Sequence, residues 1–129
     1  MSAIPFSYDY FPPAPVLRVQ LCAPDQSPRQ NARAALVDTG ADGTMVPLTL
    51  LEQLGAPVSH MVTVRAHIGD GVYRASVYQV DLIVNNQTRL PGVDVVSDDW
   101  GDEIIIGRNV LNKLRLFLNG PDQFTNMVD

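Results

Sequence analysis

The residues best suited to chemistry lie in one run, Ala35-Leu36-Val37-Asp38-Thr39-Gly40-Ala41-Asp42-Gly43-Thr44. An apolar segment leads directly into an acid, a hydroxyl and a glycine. A carboxylate at the end of a buried strand is costly unless it is hydrogen-bonded or put to use. Its use would be proton transfer, as base or acid beside a reacting atom. Gly40 lets backbone approach closely or turn sharply. The same triplet also makes an ordinary turn in which Asp caps, Thr bonds locally and Gly takes positive φ. Taken alone, Asp-Thr-Gly leaves both readings open.

Two further features bear on the choice. An apolar triplet ends in glycine at Ile104-Ile105-Ile106-Gly107, and Gly107 lies 69 residues after Asp38. Arg108-Asn109-Val110-Leu111 follows it. Between the two runs lies a glycine-rich turn, His67-Ile68-Gly69-Asp70-Gly71-Val72-Tyr73. With these in order, from about Val16 to Asn119, the sequence resembles the retroviral-type (retropepsin-like) aspartic proteases.

The resemblance implies an all-β acid-protease barrel with one or two short helices and a peptide-hydrolysing activity. It assigns the catalytic acid to Asp38 and the active-site loop to Thr39, Gly40, Ala41 and Asp42. Thr39 would bond across to the partner subunit's loop. Asp42 and Arg108 would pair to brace the site and the dimer contact, with Gly107 and Asn109 beside them as support. Ile68, Gly69, Asp70, Gly71, Val72 and Tyr73 would form a substrate-covering flap. Ala41 stands where acid-adapted members of the wider class have Ser or Thr. It has no hydroxyl to donate to the active-site carboxylates, which implies an optimum in weak acid, roughly pH 4.5–6.5. The Pro-rich, aromatic N-terminal arm resembles that of free-standing bacterial members. A non-enzymatic binding or assembly protein keeping the same fold is the alternative.

Hydrolysis by this route needs two carboxylates sharing one proton around a single water. The chain offers only one Asp-Thr-Gly, and its 129 residues are about half of what a two-lobed version would need. The second acid is therefore expected from a second copy, Asp38 facing Asp38 of the partner subunit across a twofold axis. No cofactor and no metal is expected.

Composition narrows the partners. Nine Lys and Arg face fourteen Asp and Glu, for a net charge of −5, and only one cation is a lysine, Lys113. Such a chain is poorly built to neutralise a run of phosphates, so nucleic acid is not an expected partner. No apolar run is long enough to span a membrane, and Met1–Ser7 lacks the pattern of a secretory leader. The expectation is a cytoplasmic homodimer acting on peptide or protein. Cys22, the single cysteine, reads as a small core residue. His60 and His67 lack partners at metal-ligand spacing. The acids around Trp100 lack the spacing of a calcium loop, and Trp100 is expected to pack beneath that loop.

Short apolar runs punctuated by ten prolines and nine glycines favour many short strands. Residues 1–15 read as an extended arm lying along the body, and 16–129 as one domain. Within it, strands are expected at Val16–Cys22, Ala32–Val37, Val62–His67, Val72–Val84, Val93–Val96 and Glu103–Ile106. A helix should follow Pro47, and another should cover Asn109–Leu114. A closing hairpin at 115–128 is expected to build the dimer interface.

Overall fold

In a computed structural model of the chain, residues 2–65 and 71–128 are described. Among the described residues there are ten strands and two short helices. Strands β2 (Val16–Cys22), β3 (Arg33–Val37), β4 (Thr44–Pro47), β6 (Val72–Val84), β7 (Thr88–Asp98) and β8 (Ile104–Ile106) form a ring. The order is β2-β3-β8-β4-β7-β6, and pairing of β6 with β2 closes it into a six-strand barrel. The β3–β8 and β4–β7 pairs are parallel and the rest antiparallel. Closure leaves these strands no open edge. This is the retropepsin-like barrel that the sequence leads one to expect.

Residue pattern explains the ring. In β2 the apolar Leu17, Val19 and Leu21 alternate inward while Arg18 is exposed. They meet Val80, Leu82 and Val84 of β6, Val95 of β7 and Ile104 and Ile106 of β8 in one core. Strand β6 is long enough to serve twice. Its second half closes the barrel, and its first half pairs with β5 (Val58–Arg65) as a two-stranded ribbon leaving the barrel. Val62, Val64 and Tyr73 share the less exposed face of this ribbon.

Helix α1 (Leu48–Leu54) follows Pro47 and buries Leu50 and Leu51. It stops at Gly55, whose left-handed φ of 66° lets its N–H and that of Ala56 cap the last turn. Helix α2 (Arg108–Leu111) is a single turn that buries Val110 and Leu111. It is shorter than the expected Asn109–Leu114 because the chain turns into β9 (Arg115–Asn119).

A separate three-stranded sheet has the order β1-β10-β9. The expected hairpin forms from β9 and β10 (Phe124–Val128). Met127, 2 % exposed, carries the hairpin into the barrel core. Strand β1 (Ser2–Pro5) pairs with β10. The segment carries no strand signal of its own, because it is short and ends in Pro5; an edge strand tolerates Pro, which needs no partner on its open side. The arm then loops back, with Ser7 bridging to Ala14 and the Tyr8 hydroxyl bonding Gln123.

Strand β7 extends well beyond the expected Val93–Val96. Asn85 and Asn86 both take left-handed φ, 53° and 55°, and make a tight hairpin turn from β6 into β7. Past it, a register shift between Val80 and Leu82 leaves Asp81 out of the β6–β7 ladder. Asp81 is 2 % exposed. It accepts hydrogen bonds from the N–H groups of Gly92 and Asp25 and from Nε and Nη2 of Arg89.

Candidate active site

The Asp-Thr-Gly loop joins β3 to β4. Ala35, Leu36 and Val37 lie in register beside Ile104, Ile105 and Ile106 of parallel β8. The ladder runs one step further, as the Asp38 N–H donates to the Ile106 carbonyl at 3.0 Å. Asp38, half-buried, is thus fixed at the barrel rim by the strand that ends in Gly107. The Gly40 N–H donates to Asp38 Oδ1 at 3.0 Å, and the Ala41 N–H to the Asp38 carbonyl at 3.2 Å. One carboxylate oxygen is held by backbone, and the loop is wound tightly around it.

The late glycine run locks this loop from the other side. A β-carbon on Gly107 would lie 2.1 Å from the carbonyl oxygen of Gly43 and 3.0 Å from that of Ala41, so only glycine fits. The Arg108 N–H donates to the Ala41 carbonyl and its guanidinium Nη1 to the Thr39 carbonyl, both at 2.8 Å. Fully buried Thr44 receives the Gly107 N–H at 3.1 Å and donates to Asn109 Oδ1 at 2.8 Å. Asn109 Nδ2 in turn donates to the Asp94 carbonyl on β7. Asp38, Thr39, Gly40, Ala41, Gly107, Arg108 and Asn109 are therefore brought together at one end of the barrel.

Two expectations need correction. Asp42 and Arg108 form no ion pair in the single chain; Asp42 is exposed and the guanidinium is turned to the Thr39 carbonyl. Among the described residues the ion pair observed is Arg89–Asp81, at 2.7 Å. Trp100 does not pack beneath its loop. It is 75 % exposed and meets Tyr73 edge to face, with ring centroids 5.1 Å apart. Its loop turns on Asp98, whose side chain takes up the available inner bonds.

Of the expected flap residues, Ile68, Gly69 and Asp70 lie outside the described residues, as does His67. Gly71 and Val72 are exposed, and Tyr73 is half-buried against Trp100. Cys22 is buried and its thiol faces the Gln26 carbonyl; burial pushes the thiol pKa up despite the opposing influence of Arg89. That suits a core residue and not a nucleophile. His60 is exposed and bonds its neighbour Ser59.

Sequence reasoning missed Thr44 and Met45. Met45 of β4 pairs with Ile105 of β8, so both point to one face of the sheet beside the Asp38 loop. The only available signal was a hydroxyl and an apolar residue directly after Asp-Thr-Gly-Ala-Asp-Gly. Without an expected β4 they had no assigned face.

A family model described as gag-polyprotein putative aspartyl protease matches residues 29–113, roughly two thirds of the chain. The chain belongs to this family. The matched span contains every residue of the Asp38 loop and of the Gly107–Asn109 brace, and membership implies a peptidase. It leaves outside β1, β2, β9 and β10. Comparison with curated proteins gives no match. No helix among the described residues is long and apolar enough to cross a membrane.

Proposed function

We propose that the protein is an aspartic endopeptidase that works as a homodimer. Asp38 and Asp38 of the partner subunit would hold one water between them and share one proton. The ionised carboxylate takes a proton from the water as it attacks the peptide carbonyl. The protonated one donates to the carbonyl oxygen, and the collapsing intermediate passes a proton to the leaving amine. No cofactor is needed. The observation that carries this reading is the Asp38 loop itself. A half-buried carboxylate is fixed at a barrel rim by Gly40 and Ile106, in a chain belonging to an aspartyl protease family.

The hairpin of β9 and β10 supports the dimer. Phe117, Phe124 and Val128 remain 56 %, 40 % and 46 % exposed, an apolar surface that a second copy would cover. Exposed Thr39 is free to reach the partner's loop. Ala41 supports activity in weak acid, since it brings no hydroxyl to the carboxylate pair. A cytoplasmic location belongs to the same proposal.

The test is cleavage of an unfolded protein by wild type and by Asp38→Asn, with sedimentation of a chain truncated after Gly120. The proposal expects cleavage by wild type alone and an inactive, monomeric truncation. Cleavage by Asp38→Asn, or an active monomeric truncation, would overturn it.

A further inference from the structure

Trp100 is the most exposed large aromatic side chain on the barrel proper, and it is the chain's only tryptophan. An exposed indole keeps a large apolar and π-electron surface available to a partner. The ring is not loose. The N–H groups of Trp100 and Gly101 both donate to Asp98 Oδ1, at 3.0 and 2.9 Å. A β-carbon at Gly101 would fall 2.2 Å from Asp98 Oδ2, so a larger residue there would have to displace the Asp98 carboxylate from the turn. Tyr73 and the indole meet edge to face, at an interplanar angle of 83°. An edge-to-face contact of this kind uses only part of the aromatic surface.

The loop also lies within reach of the candidate site. It leads into β8, whose Ile106 carbonyl receives the Asp38 N–H. Six residue steps from Trp100 to Ile106 span at most about 20 Å, a distance that an extended peptide covers in about six residues. On its other side the loop touches the ribbon through Tyr73.

Along its own loop the charge beside the indole has one sign. Asp98, Asp99, Asp102 and Glu103 surround it in sequence, and no Lys or Arg occurs between Arg89 and Arg108. Two of these acids are occupied, Asp98 by its turn and Glu103 by the Tyr10 hydroxyl. Asp99 and Asp102 are exposed and have no hydrogen bond or ion pair among the described residues. A tryptophan face attracts a cation through its quadrupole, and arginine adds planar stacking to the charge. Carboxylates alongside strengthen the same preference and disfavour acidic side chains.

We infer that Trp100, with Asp99 and Asp102, receives an arginine side chain of the peptide substrate. This rests on the endopeptidase reading for the word substrate, but the binding can be measured without turnover. Octapeptides carrying one arginine at each position in turn, and matched peptides with norleucine there, are titrated into Asp38→Asn while Trp100 emission is followed. At one position or a few adjacent ones, the arginine peptide should change the emission saturably and bind about three- to tenfold more tightly than its match. The advantage should shrink as salt rises and vanish in Asp38→Asn carrying Asp99→Asn and Asp102→Asn. Equal or tighter binding of norleucine would identify an apolar occupant and overturn the inference. So would absent binding, an unchanged emission, or an arginine preference that survives removal of both acids. Wild type assayed on the same peptides separates the two readings. Arginine-selective binding without cleavage sinks the peptidase and spares the site, and cleavage without arginine preference does the reverse.

Discussion

Arg108 donates a hydrogen bond from Nη1 to the backbone carbonyl of Thr39 at 2.8 Å, joining residues 69 positions apart. Its own N–H holds the carbonyl of Ala41. One residue of the late glycine run thus grips the Asp38 loop at two points, on either side of Gly40. The side chain does this within a single chain and does not use Asp42 to do so.

Arg108→Ala should therefore harm the loop more than Asp42→Ala does when the monomer is probed. A hydrogen bond from a charged donor is worth about 1.5–3 kcal/mol, whereas an exposed charge without a partner is worth about 0–1 kcal/mol. Urea unfolding at a concentration that keeps the chain monomeric measures both. Equal destabilisation by the two substitutions would show that Asp42 is engaged after all.

Thr44 should be sensitive to the loss of one oxygen. Thr44→Val keeps the shape but leaves the Gly107 N–H and Asn109 Oδ1 without the partner that each now has. The expected cost is about 1–3 kcal/mol for a buried unsatisfied group, with peptidase activity reduced by the loosened brace. Thr44→Ser retains the hydroxyl and should keep most of the activity. If Val and Ser behave alike in thermal unfolding and in kcat/KM, the hydroxyl does not hold the site together.

Much of this arrangement is legible in the sequence. Val16–Cys22 and Val72–Val84 alternate clearly enough to fix their strands, and Asp38 with Gly107 marks the site through residue type and separation. What was hidden depends on partners distant in sequence. Thr44–Pro47 is too short to show a period and becomes a strand only because β7 and β8 lie on either side. Ser2–Pro5 becomes one only because β10 offers an edge. Asp81 looks like the polar position of an alternating strand, yet the register shift turns it inward to Arg89 and Gly92. The geometry of Trp100 was equally hidden, because its turn on Asp98 and its contact with Tyr73 are tertiary facts.

Asp81 gives the fold a pH dependence. Burial alone would push its carboxyl pKa up, but hydrogen bonds from the Gly92 N–H, the Arg89 guanidinium and the Asp25 N–H outweigh burial and hold it below the ordinary range. A carboxyl depressed in the folded state stabilises the protein above its unfolded pKa of about 3.9. That contribution is lost as pH falls through the folded value, so wild-type stability should decline below about pH 4. Asp81→Asn should be less stable at neutral pH and show a flatter decline in acid. Urea midpoints from pH 7 to pH 3 measure this. A variant whose profile runs parallel to that of wild type would show that Asp81 is not the titrating group.

Subunit mixing tests the shared active site most directly. Wild type at fixed concentration is equilibrated with increasing Asp38→Asn under conditions that permit exchange, and cleavage of one peptide is followed. If each site needs Asp38 from both subunits, mixed dimers are inactive. Activity per wild-type subunit should then fall with the fraction of wild-type subunits whose partner is also wild type, to about half at equal amounts under random pairing. Activity that stays constant as Asp38→Asn is added, with exchange confirmed by differently tagged subunits, would contradict a site built from two copies of Asp38.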